Sequence, residues 1–332
     1  MLVYVGGADR SSYICPLVKG SVFNFCLSYY PPGRYDDAWK KSVEKMLAAE
    51  KDMVYYSSSS GGGDTHVIVP ALRAGDINNL CVSYYYKSTW EKTTPEAKKE
   101  VRLFVDSGAF SYMNQLLVKR RKFDESALHT YLEGYVAWIN EIRPMVDGCV
   151  TFDYLPEAPL TRKMTVLLRK KYKLDTIPVY HGDAGLDVVR RYADEGVKKL
   201  CLSKRNFLKD RSKLPHYYDQ CFNLAEKLGL LYHGLACTGP ELFRYPWDSV
   251  DSTSLIRTSF LGGLYMWSPG KKKLQTVQIS NKADHATEIH GVSAEDLVIM
   301  RKDYRARITH NARVFTAFCA SKSTPKPVRR LF

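Results

Sequence analysis

Short apolar runs alternate along the chain with longer segments in which apolar residues recur at helical spacing. The apolar runs end in polar side chains, and these ends are Asp106, Asp153, His181, Ser203, His233 and Asp251. The spacing predicts helices over residues 124–143, 160–172, 186–194 and 214–228. Apolar strands that alternate with amphipathic helices are typical of a parallel sheet covered by helices.

Two further apolar segments, residues 2–5 and 22–30, precede a predicted helix over residues 36–51. With these two the chain holds about eight strands, which favours an α/β fold of the closed kind, a (β/α)8 TIM barrel. We expect the barrel to occupy residues 1–265. A small C-terminal helical extension then follows over residues 266–320, with a strand at 274–280 and helices at 294–302 and 304–320. Residues 321–332 form a basic tail.

The segment Ser57-Ser-Ser-Ser-Gly-Gly-Gly63 interrupts this alternation. Its composition predicts a flexible loop. A phosphate-binding loop is the alternative, but the segment lacks the Lys-Ser/Thr ending of a P-loop. We therefore expect a flexible connection here.

The chain carries a strong positive charge, with 49 Lys and Arg against 35 Asp and Glu and a formal net charge of +14. Any one basic cluster is typical of a solvated surface. Their sum favours a polyanionic partner, because such a surface attracts phosphates and releases their counterions.

No apolar run approaches the ~20 residues that a membrane span needs, and residues 1–5 lack the basic region of a signal peptide. The eight cysteines include no Cys-x-x-Cys pair, and several lie in strand-like runs. Buried free thiols in a reducing compartment are the expectation, so we predict a cytoplasmic protein without membrane contact.

Three of the strand ends carry carboxylates, Asp106, Asp153 and Asp251, and the carboxyl ends of parallel strands meet at one face. One carboxylate can attack an anomeric carbon and a second can transfer protons. A third can accept hydrogen bonds from the ring N–H and exocyclic amine of guanine. The alternatives are structural: Asp251 and Asp153 as helix caps, and Asp106 as a turn residue before Gly108.

Several motifs resemble the tRNA-guanine transglycosylases and, most closely, their DNA-modifying relatives, the 7-deazaguanine transglycosylases often found in phages. The resemblance spans residues 100–318. It rests on Asp106-Ser-Gly-Ala-Phe110, Phe152-Asp153, Val179-Tyr-His-Gly182, the spacing from Asp251 to Arg257, and His310-Asn311.

The resemblance implies exchange of guanine in DNA for a 7-deazaguanine derivative, a modification that protects DNA against restriction. Asp251 is then the nucleophile and Asp106 the acid/base. The residues implied to hold the base are Asp153, Phe110, Ser107, Gly108, His181, Gly182, Ser203, His233, Gly234 and Leu235. The residues implied to contact the nucleic-acid backbone are Arg257, Lys204 and Arg205.

The sequence departs from the family in three places. His181 replaces a glutamine, and His233 stands where the tRNA enzymes have an apolar stacking residue. The Cys-x-Cys-x-x-Cys run of the family's zinc site is absent, and the spacing of His285, His290, His310 and Cys319 fits no zinc pattern. We therefore expect no metal and no cofactor.

The expected partners are double-stranded DNA and a free 7-deazaguanine base, with an accessory protein as a further candidate. The location is the host cytoplasm if the chain is phage-encoded. Three alternatives remain at this point: exchange on tRNA, a non-catalytic barrel that binds nucleic acid, and a sugar hydrolase that uses a carboxylate pair. The net charge of +14 argues against the last.

Overall fold

The computed structural model describes residues 54–59, 65–75, 77–99, 101–118, 123–153, 158–182, 184–204, 207, 210–237, 245–268, 273–279 and 292–320. The predicted strands at 2–5 and 22–30, the predicted helix at 36–51 and the basic tail at 321–332 lie outside these residues. Among the described helices, none has both the length and the apolar character that crossing a membrane requires.

The fold is mixed α/β, built on an eight-stranded sheet in which each pair of neighbouring strands is parallel. The strands are β1 Val54–Ser59, β2 Asn79–Ser83, β3 Arg102–Asp106, β4 Val146–Cys149, β5 Val179–Tyr180, β6 Lys199–Leu202, β7 Leu231–Gly234 and β8 Ser249–Ser252. Their order in the sheet is β4-β3-β2-β1-β8-β7-β6-β5. The prediction of a parallel sheet with strands alternating with helices is confirmed.

The two outer strands of this order also meet. Val150, directly after β4, forms a parallel bridge with Ile177, two residues before β5. The Ile177 N–H donates to Cys149 O at 2.8 Å, and the Thr151 N–H donates to Ile177 O at 3.0 Å. Backbone pairing therefore continues from β4 to β5.

The helices that accompany the sheet are α1 Thr65–Arg73, α2 Lys87–Glu91, α3 Pro95–Lys98, α4 Ala109–Val118, α5 Glu125–Glu141, α6 Ala158–Val166, α7 Leu186–Asp194 and α8 Leu214–Leu228. A π-helical turn, Leu167–Lys171, continues α6. The four helices predicted between residues 124 and 228 are therefore confirmed. Helix α5 begins after Asp124, whose side chain accepts a hydrogen bond from the Ser126 N–H and so caps the first turn.

The prediction of a flexible loop at residues 57–63 is wrong over Ser57–Ser59, which belong to β1. This strand pairs with β2 on one side and β8 on the other. Its backbone hydrogen bonds to two neighbours outweigh the low strand propensity of a serine run. The sheet takes its eight strands from residues 54–252, so the predicted number is reached among the described residues without segments 2–5 and 22–30.

Strand β8 is followed by α9 Ser254–Phe260, which leads into the antiparallel hairpin of β9 Gly263–Ser268 and β10 Lys273–Gln278, and the predicted C-terminal extension starts within β9. Helices α10 Ala294–Lys302 and α11 Tyr304–Ala320 follow with the bounds predicted from the sequence. Buried Asn311 of α11 accepts from the Tyr265 N–H at 2.6 Å and donates to Ser259 Oγ at 2.8 Å and Gly263 O at 3.0 Å. These bonds join α11 to α9 and β9.

Candidate active site

The predicted carboxylates lie at the C-terminal edge of the sheet. Asp106 is the last residue of β3, in register with Ser83 of β2. Asp251 lies in β8, in register with Tyr56 of β1. Parallel strands bring their carboxyl ends to one edge, so strand-end residues far apart in the sequence become neighbours.

Asp251 is buried, with 6% of its surface exposed. Its Oδ1 accepts a 2.6 Å hydrogen bond from the Ala236 N–H and lies 3.4 Å from Nε2 of His233. Burial raises the pKa of Asp251 to about 7, against the opposing effects of the Ala236 hydrogen bond and the positive charge of Lys204. A carboxylate in this state changes charge near neutral pH, and groups with such perturbed pKa values cluster at functional sites.

Asp106 is half-buried, and its Oδ2 accepts a 3.2 Å hydrogen bond from the Gly108 N–H. Burial and the negative charge of Asp251 raise the pKa of Asp106 to about 6, while hydrogen bonds from Gly108, Ser83 and Ser107 oppose the rise. Two carboxylates that interact in this way lose their protons stepwise. The pair therefore holds a single proton between about pH 6 and about pH 7.

The loop after β3 is held from two sides. Ser107 Oγ donates to Thr151 O at 3.2 Å, and the Tyr131 hydroxyl donates to Ser107 O at 2.7 Å. Gly108 has φ +76°, and a side chain there would meet Tyr85 and the Tyr131 hydroxyl. The loop leads to Phe110, whose ring is 39% exposed at the start of α4. An exposed ring two residues beyond the Asp106 loop suits stacking on a base.

Asp153 and His181 face each other across the ends of β4 and β5. His181 Nε2 lies 3.6 Å from Asp153 Oδ2, and both side chains are largely buried. Gly182 next to His181 has φ +82° and packs against Tyr217 and Phe207, so no larger residue fits there. The structure therefore brings together two of the residues predicted to hold the base.

Ser203, Gly234 and Leu235 lie at the ends of β6 and β7. The Ser203 N–H donates to Tyr180 O at 3.0 Å and the Leu235 N–H donates to Leu202 O at 3.1 Å. Gly234 packs against Cys237, Trp247 and Val250. The backbone N–H groups of Ser203 and Leu235 thus take part in the pairing between neighbouring strands.

His233 lies wholly in the interior rather than at the rim. Its ring stacks on Phe104 of β3, with centroids 4.0 Å apart and planes at 20°, and its Nδ1 lies 2.8 Å from Ser249 Oγ. Burial, together with the nearby positive charge of Lys199, lowers the pKa of His233 well below its usual value. Phe104 covers one face of the ring. His233 therefore approaches Asp251 with the edge of its ring, through Nε2.

The three basic residues predicted to contact the nucleic-acid backbone occupy different places. Lys204 follows β6 and is close enough to Asp251 for its charge to stabilise the carboxylate. Arg257 lies on the exposed face of α9. Arg205 lies outside the described residues. The positive charge next to Asp251 therefore comes from Lys204.

No group of three or more His, Cys, Asp or Glu in the part of the chain that the structure describes is placed to hold a metal ion. His310 Nε2 donates to Tyr265 O at 3.1 Å. His285 and His290 lie outside the described residues. Cys81, Cys149, Cys201, Cys221 and Cys237 are buried free thiols, as predicted.

Two residues of the site were missed from the sequence. Ala236 donates the 2.6 Å hydrogen bond to Asp251 from a left-handed conformation with φ 49°. Ser249 bonds to His233 from a position two residues before Asp251. The sequence offers no signal for the first, because an alanine gives no indication of positive φ. For the second the signal was the hydroxyl on the same face of β8 as Asp251.

No protein-family model matches the chain, and no curated protein is significantly similar to it.

Proposed function

We propose that the chain is a DNA-guanine transglycosylase that replaces guanine with a 7-deazaguanine derivative through a covalent ester of Asp251. The observation that carries this proposal is the coupling of Asp106 to Asp251, two carboxyls with raised pKa at one edge of the sheet. Paired carboxylates that share a proton suit chemistry at an anomeric carbon, where one attacks and the other transfers the proton.

The sheet is proposed to close into a (β/α)8 barrel, with these carboxylates at its mouth. In a flat sheet β3 and β7, four strand spacings apart, would lie about 19 Å from each other. Phe104 of β3 and His233 of β7 nevertheless stack at 4.0 Å. Curling of the sheet, together with the Val150–Ile177 bridge between its outer strands, supports closure.

In the first displacement, ionised Asp251 attacks the deoxyribose anomeric carbon, and the bond from this carbon to guanine N9 breaks. Asp106 gives its proton to the departing base. In the second, the 7-deazaguanine loses its N9 proton to Asp106 and attacks the same carbon, which releases Asp251. Two displacements retain the configuration at the sugar. The Lys204 charge and the Ala236 N–H favour the ionised form of Asp251 that each cycle begins with.

Base recognition is assigned to Asp153 and His181, which lie 3.6 Å apart. A carboxylate at this position can accept from the ring N–H and the amine of guanine, a pair of donors that the 7-deazaguanines retain. Phe110 is the proposed stacking ring. A histidine next to Asp153 distinguishes this site from the family's glutamine.

Double-stranded DNA is the proposed substrate. The target nucleotide must leave the base stack, at a cost of a few kcal/mol. Stacking on Phe110 offsets part of this cost. The net charge of +14 attracts the phosphates. Lys204 and Arg257, with Arg205, are the proposed contacts to the strand.

The test is incubation with radiolabelled 7-deazaguanine and either duplex DNA or tRNA, followed by recovery of the polymer. We expect label in DNA, and a protein–DNA adduct on denaturing gels that Asp251→Asn abolishes. Asp187→Asn makes the same chemical change on an exposed residue of α7 and keeps both signals. Label in tRNA alone would overturn the choice of substrate. DNA binding without label or adduct would identify a non-catalytic barrel.

A further inference from the structure

A line of polar groups leads from the interior to Asp251. Ser249 Oγ lies 2.8 Å from His233 Nδ1, and His233 Nε2 lies 3.4 Å from Asp251 Oδ1. Ser249 and His233 are fully buried and Asp251 is nearly so. The stack on Phe104 fixes the plane of the imidazole, and in this plane one ring nitrogen lies next to Ser249 and the other next to Asp251.

The imidazole is held neutral. Burial and the positive charge of Lys199, which forms an ion pair with Asp248 at 2.6 Å, disfavour protonation of the ring, and the charge of Asp248 opposes this. A neutral imidazole carries one N–H. Which nitrogen carries it is set by the hydrogen bonds that the ring makes. When Asp251 is ionised, the matching tautomer has its hydrogen on Nε2, and Nδ1 then accepts from the Ser249 hydroxyl.

We propose that Ser249 and His233 form a positioning relay. Ionised Asp251 selects the tautomer of His233 with hydrogen on Nε2, the Ser249 hydroxyl supports this tautomer by donating to Nδ1, and His233 donates to Asp251 to hold it oriented for attack. The relay places a second donor 3.4 Å from Asp251 Oδ1, beside the Ala236 N–H. Both donors approach the same carboxylate oxygen, Oδ1. The other oxygen, Oδ2, is therefore left to form the bond to the sugar carbon.

The relay also fits the second half of the reaction. When the incoming base attacks, the C–O bond to Asp251 breaks and the electron pair returns to the carboxylate. A donor already placed at Oδ1 stabilises this leaving group. This catalytic consequence rests on the proposed function, whereas the effect of His233 on the ionisation of Asp251 does not.

Four charged groups among the described residues act on the relay or on its target. Lys204 acts on Asp251, whose charge in turn acts on Asp106, and Lys199 and Asp248 act on His233. None of them is altered by a change at His233 or Ser249. A shift in the ionisation of Asp251 after such a change therefore reports the loss of the relay.

The experiment compares His233→Phe, which keeps a ring to stack on Phe104, with His233→Gln, whose amide nitrogen reaches the position of Nε2. The pKa of Asp251 is measured by NMR on protein with 13C-labelled aspartate carboxyls, and its signal is assigned by its loss in Asp251→Asn. We expect His233→Phe to raise the measured pKa of Asp251 by about one or more, because a hydrogen bond to the charged form is lost. His233→Gln should restore it to within a few tenths.

Ser249→Ala, which leaves the imidazole in place, should move the same pKa in the same direction and covers the case in which His233→Phe does not fold. With DNA and deazaguanine, His233→Phe should slow ester formation about tenfold at unchanged KM. An unchanged pKa of Asp251 in both His233→Phe and Ser249→Ala would overturn the relay. A shifted pKa in a protein that exchanges no base would uphold the relay and refute the proposed function.

Discussion

The backbone N–H of Ala236 donates a 2.6 Å hydrogen bond to Oδ1 of Asp251, and Ala236 adopts φ 49° to do so. A left-handed alanine costs about 1–2 kcal/mol relative to an ordinary conformation. Such strain is found where surrounding structure holds the backbone for a purpose. The turn after β7 thus places a donor on the carboxylate at the expense of local stability.

This strain makes Ala236→Gly an unusually mild substitution. Glycine adopts positive φ freely, and the relief offsets the greater freedom that glycine gives the unfolded chain. We expect the free energy of unfolding in urea to change by less than about 0.5 kcal/mol. Ala137→Gly, on the exposed face of α5, should lower it by about 1 kcal/mol. Equal losses in the two variants would contradict the strain at Ala236.

The ionisation of Asp251 should make stability depend on pH. Burial raises its pKa from 3.8 to about 7 in the folded chain, so the folded state holds a proton that the unfolded state releases. The contribution of this proton is complete below the unfolded pKa and is lost as the pH rises through the folded pKa. Asp251→Asn, which stays neutral, should gain up to roughly 4 kcal/mol over wild type between pH 4 and pH 8.

The measurement is urea denaturation of both proteins at the two pH values. Asp187→Asn serves as the control, since Asp187 is an exposed residue paired with Arg190. A difference between Asp251→Asn and wild type that does not grow with pH would show that Asp251 keeps an ordinary pKa in the folded chain.

The shared proton of Asp106 and Asp251 predicts a bell-shaped pH profile for ester formation. The reactive state has one proton on the pair, with Asp251 ionised and Asp106 protonated. Because Asp251 has the higher pKa, this is the minor of the two singly protonated forms, and it is populated over the same pH range as the major one. The acid limb should lie near pH 6 and the alkaline limb near pH 7, following the two ionisations. Single-turnover rates from pH 5 to pH 9 test this. Asp106→Asn should lower the rate and remove the alkaline limb, and a bell that survives in this variant would exclude Asp106 as the acid.

Four helices begin and end at the residues that the sequence predicted. Leu186–Asp194, Leu214–Leu228, Ala294–Lys302 and Tyr304–Ala320 have the bounds that their periodicity indicates. Helix α1 gave no such signal, since Pro70 interrupts its interior. Strand β1 could not be predicted either. Its serines are typical of a loop by composition, and they form a strand because they pair with β2 and β8.

The positions of the carboxylates could be predicted because a parallel sheet brings its strand ends together whatever the intervening sequence. Asp106 and Asp251 follow from this rule alone. The position of His233 could not, since a histidine near a strand end has the same pattern whether it faces a ligand or stacks on Phe104. That distinction depends on the curvature of the sheet, which joins β3 to β7 across the interior.

The candidate site leaves no room for a side chain at position 108, which is a glycine. Its φ is +76°, and an added Cβ would lie 2.5 Å from the Tyr85 Cβ and 2.8 Å from both the Tyr85 N and the Tyr131 hydroxyl. Gly108→Ala should therefore lower the free energy of unfolding by about 3 kcal/mol or more, through strain and overpacking together. Gly185→Ala is the matched control, because Gly185 has φ +70° with nothing within 4 Å. It should lose only about 1 kcal/mol, and equal losses would mean that the Tyr85 contact yields.

The hydrogen bonds of Asn311 lead to a prediction about the stability of the C-terminal extension. Its amide is fully buried and makes three hydrogen bonds, to the Tyr265 N–H, Ser259 Oγ and Gly263 O. Asn311→Ala leaves the Tyr265 N–H and the Gly263 carbonyl buried without this partner, so the free energy of unfolding should fall by about 2–4 kcal/mol. Asn140→Ala, on the exposed face of α5, should change it by less than about 0.5 kcal/mol. If calorimetry gives Asn311→Ala the small value of its control, the hairpin of β9 and β10 is held to α11 by apolar packing and not by this amide.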